Sequence, residues 1–349
     1  MKKIVFLSFI ILIFAFGCVN IPTLPKLIPS DPEGVTKPSP ASYTDFDFYL
    51  TIDKNPFLVP ISVPDYVRLK INIPDVQNLE ANELKVFEDD KAQGFLLFKE
   101  TETRNQVDIM IVLDTTGSMY NAIEGVKNSV QNLIETLQAS GLDAKVGIIP
   151  FDDAVPSKDI TLTPNWLDLS DAGSAKDFVS NITAYGGADF PENPYAGIMY
   201  AFNNASWRAS SQKIIILITD ASAHYKSETY PGDAEGETLY DKDKVIDTIQ
   251  GFVTVHGAFI PGYYYSSTDS EDFSAPEDPR EIVVETGGII NYTDSSGNVD
   301  LTNIGLIEYI SSSWIVAFES DSPNATHTIE VFIEHDGAKG YKKLENINY

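Results

Sequence analysis

The chain has 349 residues, of which 43% are hydrophobic, and its formal net charge is −27. This length suits two or three domains, and the hydrophobic content supports buried cores, which excludes global disorder. So acidic a protein repels nucleic acid phosphates and anionic lipid headgroups, and it attracts cations such as Mg²⁺ and Ca²⁺. The same charge can also serve only to keep an exported protein in solution.

The first 18 residues have the pattern of an export signal. The chain starts with a methionine and two lysines, residues 4–16 are almost wholly apolar, and Gly17 and Cys18 close the segment. This apolar run falls within the length of about 7–15 residues that signal peptides use and is short for a membrane span. Small residues followed by cysteine resemble the lipobox of bacterial lipoproteins, which implies that Cys18 is lipidated in a periplasmic or outer-surface protein. The alternative is an ordinary secretory signal with an incidental cysteine.

Two terminal regions are predicted to form one β-sandwich. Residues 19–42 are rich in Pro and Ser, which indicates an extended tether between the membrane and the folded part. Residues 43–104 contain short segments that alternate with period two, as in 66–73, but these are too few to close a sandwich alone. The C-terminal residues 312–349 offer further extended segments. We therefore expect both ends to pair, with residues 105–311 inserted between them as a separate domain.

The middle domain alternates predicted strands and helices. Continuous apolar strands separated by helices are typical of a parallel sheet that is covered on both faces. The fold class is therefore α/β, with a Rossmann-like central sheet that is mostly parallel and flanked by helices. The predicted strands are residues 107–113, 146–151, 213–219, 252–260 and 289–292, and the predicted helices are residues 120–139 and 196–205 and a helix that ends at 245–250.

Oxygen-bearing side chains follow three of these predicted elements. Asp114 comes directly after the first apolar strand, and Thr116 and Ser118 follow at alternate positions. Residues 186–192 form a glycine-rich loop before a helix, and Asp220 comes directly after another apolar strand. Because ligands of open parallel sheets bind outside the carboxyl ends of the strands, these segments are expected to meet there.

This combination resembles the von Willebrand factor type A family, whose fingerprint is Asp-x-Ser-x-Ser after the first strand, a loop ligand that is often Thr, and an Asp after the fourth strand. The match is Asp114, Thr116, Ser118, the glycine-rich loop and Asp220, and the resemblance covers residues 105–311. It implies a Rossmann-like domain that holds Mg²⁺, or else Ca²⁺ or Mn²⁺, by oxygen ligands. It also implies an open coordination position for an acidic group of a partner.

The loop departs from this pattern, because it offers Asp189 and Glu192 where a threonine is expected. The string Asp-Phe-Pro-Glu resembles the Asp-x-Pro-Glu of integrin β subunits. That resemblance implies that Glu192 is a direct metal ligand and that Asp189 is a ligand or lies just behind the ligands. Together with Asp114 and Asp220, a third carboxylate would over-neutralise a divalent ion. Such a site would favour Ca²⁺ or act as a structural clamp.

Other chemistry has little support in the sequence. The four histidines lack zinc-site spacing, and neither a Gly-x-Ser-x-Gly turn nor a phosphate loop is present, so we expect no enzyme. His224 follows Asp220 by four residues and is a possible rim residue. Tyr263, Tyr264 and Tyr265 lie on a predicted loop after a strand and either contribute to the ligand surface or pack beneath their own loop.

The sequence as a whole predicts an exported, lipid-anchored protein that binds a protein or a surface glycan through a divalent cation, with adhesion at the cell envelope as its role. One alternative is a structural component of an envelope complex, in which the metal only stabilises the domain. A third, less favoured interpretation is a hydrolase that depends on His224 or Glu192. Nucleic acid is not an expected partner, and membrane contact is expected only through the lipid anchor.

Overall fold

A computed structural model describes residues 28–55, 66–74, 76–104, 106–157, 162–187, 191–226, 239–261, 273, 277–294, 301 and 306–349. The predicted export signal with Cys18, the loop residue Asp189 and the three tyrosines Tyr263, Tyr264 and Tyr265 lie outside the described residues. Within the described ranges, every helix is too short or too polar to cross a membrane.

The elements follow one another in three groups. The N-terminal group is β1 (Tyr49–Ile52), β2 (Tyr66–Asn72), β3 (Leu84–Glu88), β4 (Lys91–Ala92), β5 (Phe95–Lys99) and α1 (Glu100–Thr103). The middle group is β6 (Gln106–Asp114), α2 (Ile123–Ala139), β7 (Asp143–Phe151), β8 (Leu167–Ser170), α3 (Ala172–Ser180), α4 (Pro194–Asn204), β9 (Ser211–Thr219), α5 (Lys242–Ile249), β10 (Thr254–Phe259), α6 (Arg280–Glu285), β11 (Ile290–Tyr292) and α7 (Leu306–Ser311). The C-terminal group is β12 (Ser313–Glu319), β13 (His327–His335) and β14 (Ala338–Ile347).

The middle group forms one sheet with the strand order β11-β10-β9-β6-β7-β8. All neighbours in it are parallel except β8, which runs antiparallel to β7 at the edge. The central strands β6 and β9 are apolar along most of their length because helices cover both of their faces. These findings confirm the predicted α/β fold with a mostly parallel central sheet.

Successive side chains of β6 point to opposite faces of the sheet, and each face has its own hydrophobic core. Ile109, Ile111 and Leu113 face the core that contains α2, α3 and α7, whereas Met110 and Val112 face the core that contains α4, α5 and α6. Helix α2 packs against the sheet through one apolar face, because its apolar residues recur every three or four positions. They are Ile123, Val126, Val130, Leu133, Ile134 and Leu137.

The terminal groups form two antiparallel sheets with the orders β1-β2-β12-β5 and β14-β13-β3-β4. Each sheet contains strands from both ends of the chain. Their facing side chains share one core, in which Leu69 of β2, Val86 of β3, Val316 of β12 and Val331 of β13 are buried. The predicted pairing of the two ends around an inserted domain is therefore confirmed.

Residues 28–42, the described part of the segment predicted as a tether, pack on this sandwich. Ile28 is buried, and Asp31 forms an ion pair of 2.7 Å with Lys91 and accepts a hydrogen bond of 3.0 Å from the backbone N–H of Gly94. A Cβ on Gly94 would lie 2.2 Å from the carbonyl oxygen of Pro29. The glycine therefore allows this close approach of the two segments.

Buried charges join the sandwich to the middle domain. The Arg104 guanidinium, which is almost fully buried, contacts Asp53 at 2.7 Å and Glu100 at 3.0 Å. Lys70 of β2 approaches Glu100 at 3.1 Å, and Lys213 of β9 donates to the Asn55 side chain at 2.7 Å. This network connects the segment after β1 to the strands of the central sheet.

Candidate metal centre

Asp114 is the last residue of β6 and is fully buried at the carboxyl edge of the central sheet. Its Oδ1 accepts hydrogen bonds from the backbone N–H of Thr116 at 3.0 Å and from the Thr116 hydroxyl at 2.7 Å. Its Oδ2 accepts from the hydroxyl of Thr219, the last residue of β9, at 2.7 Å. The parallel register of β6 and β9 pairs Leu113 with Ile218, which places Asp114 beside Thr219.

A continuous series of oxygen contacts runs from Asp114 to Asp220. The Thr116 Oγ1 lies 2.9 Å from the Ser118 Oγ, and the Ser118 hydroxyl donates to Asp220 Oδ1 at 2.9 Å. The alternate spacing of Asp114, Thr116 and Ser118 therefore brings their side chains to one place beside Asp220. Thr116 and Asp220 are buried, whereas Ser118 is partly exposed, so the series opens to solvent at Ser118.

The turn that carries these hydroxyls is a 3-10 segment, Gly117–Asn121. The sequence predicted a helix from residue 120, and α2 instead begins at Ile123 without a side-chain cap. Residues 117–121 form the 3-10 segment instead, and the Ser118 side chain is directed to Asp220.

The glycine-rich loop lies directly on this turn. The N–H of Gly117 donates to the Gly186 carbonyl at 2.9 Å, and the N–H of Tyr185 donates to the Thr115 carbonyl at 2.9 Å. Gly187 has a φ of +78°, and a Cβ on it would lie 3.1 Å from the Thr116 Cβ and 3.2 Å from the Glu192 Oε1. Glycine is therefore required here for both its backbone conformation and its lack of a side chain.

Glu192 belongs to the same site and is 2% exposed. Its backbone is fixed by hydrogen bonds on both sides, from its N–H to the Ser222 carbonyl at 3.1 Å and from the His224 N–H to its carbonyl at 2.7 Å. Within the described part of the chain, its Oε2 is buried and has no hydrogen-bond partner. A buried carboxyl oxygen without a donor is costly unless something positive balances it.

The electrostatics of the site also favour a bound cation. Burial raises the pKa of Glu192 well above its usual value, and the charges of Asp114, Asp153 and Asp220 raise it further. Burial also raises the pKa of Asp220, and the Asp114 charge adds to this effect. For Asp114 itself, burial raises the pKa more than the hydrogen bonds from Thr116 and Thr219 lower it. Converging carboxylates of this kind favour a bound cation.

The donor chemistry fits a hard divalent cation. Carboxylate and hydroxyl oxygens are the ligands that Mg²⁺ and Ca²⁺ prefer. Among the residues that the structure describes, no three Asp, Glu, His or Cys side chains are grouped so that they alone could hold a metal ion. A cation at this edge therefore needs the hydroxyls of Thr116 and Ser118 in addition to the acids.

His224 approaches the site from inside the fold and not from an exposed rim. Its side chain is buried, and its Nε2 lies 3.9 Å from the Asp153 Oδ1. The sequence interpretation also missed Thr219 and Asp153. Thr219 directly precedes Asp220, and the pairing of parallel strands could have placed it beside Asp114. Asp153 lies two residues after β7, so the rule that ligands bind outside the carboxyl ends of parallel strands could have found it too.

Comparison with known proteins identifies the class of the domain. Residues 108–230 match the von Willebrand factor A domain family. The middle of the chain therefore contains a von Willebrand factor A domain, as the motif around Asp114 predicted.

Three proteins illustrate the range of its relatives. Alpha-protein kinase vwkA of Dictyostelium discoideum is 35% identical over 154 residues, which is 42% of this chain and 24% of that protein. The putative ariadne-like RING finger protein R811 of Acanthamoeba polyphaga mimivirus is 32% identical over 145 residues, 41% of this chain and 14% of that protein. Integrin beta-4 of Rattus norvegicus is 25% identical over 155 residues, 38% of this chain and 8% of that protein. The matched region thus spans less than a quarter of each relative's length.

Solved structures show weaker similarity. The pilus adhesin SpaC from Lactobacillus rhamnosus GG in an open conformation has a TM-score of 0.43 and 13% identity, covering 90% of this chain and 49% of that one. A von Willebrand factor type A protein from Catenulispora acidiphila has a TM-score of 0.38 and 14% identity, covering 87% and 73%. The proximal thread matrix protein 1 of mussel byssus, with a zinc-occupied MIDAS motif, has a TM-score of 0.41 and 14% identity, covering 63% and 49%. Similarity at this level carries no information about ligands.

Proposed function

We propose that the chain is an exported, lipid-anchored protein of the cell envelope whose von Willebrand factor A domain binds a protein or surface glycan through a divalent cation. Mg²⁺ is the proposed cation, with Ca²⁺ or Mn²⁺ as substitutes. Export and attachment through Cys18 rest on the sequence of the first 18 residues. The binding role rests on the carboxyl edge of the central sheet.

The proposal rests on the series of contacts of 2.7–2.9 Å that joins Asp114, Thr116, Ser118 and Asp220. These residues would hold the cation, and the buried Glu192 would lie beside it. A bound divalent cation would supply positive charge and an open coordination position for an anionic oxygen of the partner. The partly exposed Ser118 marks the side from which that oxygen arrives.

We also propose that the domain is a binding module and not an enzyme. The Thr116 and Ser118 hydroxyls bond with each other and with the two aspartates. This arrangement suits metal ligation, and it differs from a serine that is activated by a histidine base.

The proposed binding is tested by capture from an envelope fraction on the immobilised chain, with Mg²⁺ and with EDTA. We expect a partner that is retained in Mg²⁺, released by EDTA, and not retained by Asp114→Asn. Asp247→Asn, which changes an exposed aspartate on α5, is the matched control and should retain the partner. Retention that is equal in Mg²⁺, in EDTA and with Asp114→Asn would contradict the proposal.

A second candidate function is a purely structural metal clamp, and the buried Glu192 favours it. Its carboxylate would fill the position that a partner would otherwise take, and the two aspartates would already neutralise the ion. In that case EDTA would lower the melting temperature, and no partner would be captured in either condition. Glu192→Gln separates the two functions, because it should weaken a clamp and leave partner capture intact.

A further inference from the structure

We infer that Tyr120 and Tyr185 flank the cation as the contact residues of the domain, and that they select a protein segment in which an Asp or Glu stands next to apolar side chains. This inference rests on the proposed function, and it names the partner's chemistry at the same site.

Exposure singles out these two tyrosines. Tyr120 is 73% exposed and Tyr185 is 70% exposed, more than any other large apolar side chain in the described ranges. Other tyrosines of the domain, such as Tyr195 and Tyr309, are buried. Tyrosine supplies a large and rigid contact area with a polar tip, and such residues carry much of the binding energy of protein interfaces.

Tyr185 is held beside the ligand turn by its backbone. Its N–H donates to the Thr115 carbonyl at 2.9 Å, and the next residue, Gly186, accepts from the Gly117 N–H at 2.9 Å. Two hydrogen bonds therefore join the two loops on either side of Thr116. The Tyr185 ring projects into solvent from a backbone that is fixed against the residues proposed to hold the cation.

Tyr120 is held on the other loop by its neighbours. It follows Ser118 by two residues in the 3-10 segment, where the fully buried Met119 anchors the turn in the core. The Met119 N–H also donates to the Thr116 carbonyl at 3.1 Å. The Ser118 hydroxyl points to Asp220, while the side chain of Tyr120 is left in solvent.

The next most exposed large apolar side chain that the structure describes is Leu239, at 65%, three residues before α5. A group that fits the edge must therefore supply an anionic oxygen to the cation and apolar surface on its flanks. An Asp or Glu within a protein segment provides both, whereas a neutral sugar does not provide the anionic oxygen.

The test uses the full chain and a phage-displayed library of random short peptides, bound in Mg²⁺ and eluted with EDTA. We expect the eluted peptides to share one acidic residue flanked by apolar or aromatic residues. A synthetic copy of a selected peptide should bind Tyr120→Ala and Tyr185→Ala about 10- to 30-fold more weakly than the wild-type chain. Tyr120→Phe and Tyr185→Phe, which keep the ring, should restore most of the affinity. Val284→Ala, which shortens an exposed side chain on α6, should leave peptide binding unchanged.

Mg²⁺ affinity, measured by titration calorimetry without peptide, separates this inference from the proposed function. We expect the tyrosine variants to bind Mg²⁺ as the wild-type chain does. If Mg²⁺ binds but the peptides lack an acid, bind the tyrosine variants equally well, or are never recovered, the inference is overturned and the proposed function stands. Metal-dependent binding of a neutral oligosaccharide instead of peptides also overturns it. If none of Mg²⁺, Ca²⁺ and Mn²⁺ binds, both fail.

Discussion

His327 in the sandwich is enclosed by groups that only accept hydrogen bonds. Its Nδ1 lies 2.7 Å from Asp89 Oδ2, and its Nε2 lies 2.8 Å from the Ser322 carbonyl oxygen. Both ring nitrogens must therefore carry a proton for both contacts to be hydrogen bonds. Burial lowers the pKa of His327, but Ser322, Asp89 and Glu88 outweigh it, so the pKa is raised. The Tyr349 ring stacks on this imidazolium with a centroid distance of 5.0 Å.

This geometry predicts that the sandwich is more stable in mild acid. Because the pKa of His327 is higher in the folded state than in the unfolded state, where it is about 6.5, its contribution is complete below that pH. The contribution is lost as the pH rises through the folded pKa, and we expect it to amount to about 1 kcal/mol. Melting temperatures of wild type and His327→Gln across this range measure it.

His335→Gln is the comparison, because His335 lies on the same strand and also contacts a carboxylate, that of Glu83 at 2.8 Å, but is more exposed. The control should keep the pH dependence of the wild-type chain, and His327→Gln should flatten it. A His327→Gln profile parallel to that of the wild type would show that the imidazolium does not stabilise the fold.

Among the individual residues of the metal centre, the sequence identified some and missed others. Asp114 and Asp220 were identifiable because each follows a continuous apolar strand, and strand ends share one edge of the sheet. Thr219 was not identified, because its role depends on the register between β6 and β9. The exposed Tyr120 and Tyr185 also went unnoticed, since only the folded loops show that they remain uncovered.

At the element scale, the glycine-rich loop gives a prediction about Gly187. Alanine at this position must keep a φ of +78° and place its Cβ against Thr116 and Glu192. The backbone strain should cost about 1–2 kcal/mol of unfolding free energy. The displaced Thr116 should in addition weaken Mg²⁺ binding, which calorimetric titration of Gly187→Ala measures.

Gly337 provides the control for this variant. It has a φ of +85°, and a Cβ on it would have no neighbour within 4 Å. Gly337→Ala should therefore show the same loss of stability with an unchanged Mg²⁺ affinity. Equal Mg²⁺ affinity in both variants would mean that the loop does not support the metal centre.

The sequence predicted long elements with a regular apolar pattern better than it predicted short elements. Strands β6 and β9 and helix α2 carry long apolar patterns, and the sequence located them to within a few residues. The edge strand β8 and the helices α3, α6 and α7 were not predicted. β8 has only four residues, and its antiparallel pairing with β7 is determined by the tertiary fold and not by its own pattern.

At the scale of the whole molecule, the buried ion network predicts that the sandwich and the inserted domain depend on each other. Arg104→Ala would remove the central cation of this network and leave Asp53 with Arg68 and Glu100 with Lys70, each at 3.1 Å. Removing one partner of a buried ion pair costs about 3–5 kcal/mol when the other charge is left uncompensated. Because Arg68 and Lys70 remain, we expect the unfolding free energy in urea to fall by about 3 kcal/mol, the lower end of that range. The sequence could not reveal this network, since Arg104 and Asp53 are 51 positions apart.

Lys176→Ala is the comparison for Arg104→Ala, because Lys176 pairs with Glu135 at the surface at 2.7 Å. An exposed pair of this kind should contribute less than about 1 kcal/mol. If both variants lost equally little stability, the network would not be an important connection between the two parts of the chain.

The most direct test is a calorimetric titration of Mg²⁺ into the chelator-treated chain, with Asp114→Asn as the variant. We expect one cation to bind per wild-type chain and none to bind to the variant. We also expect the metal-free variant to melt at or above the temperature of the metal-free wild type, because the substitution removes one of several mutually repelling buried carboxylates. A wild-type chain that binds no divalent cation, or a variant that binds it with equal affinity, would show that Asp114 is not part of a metal centre.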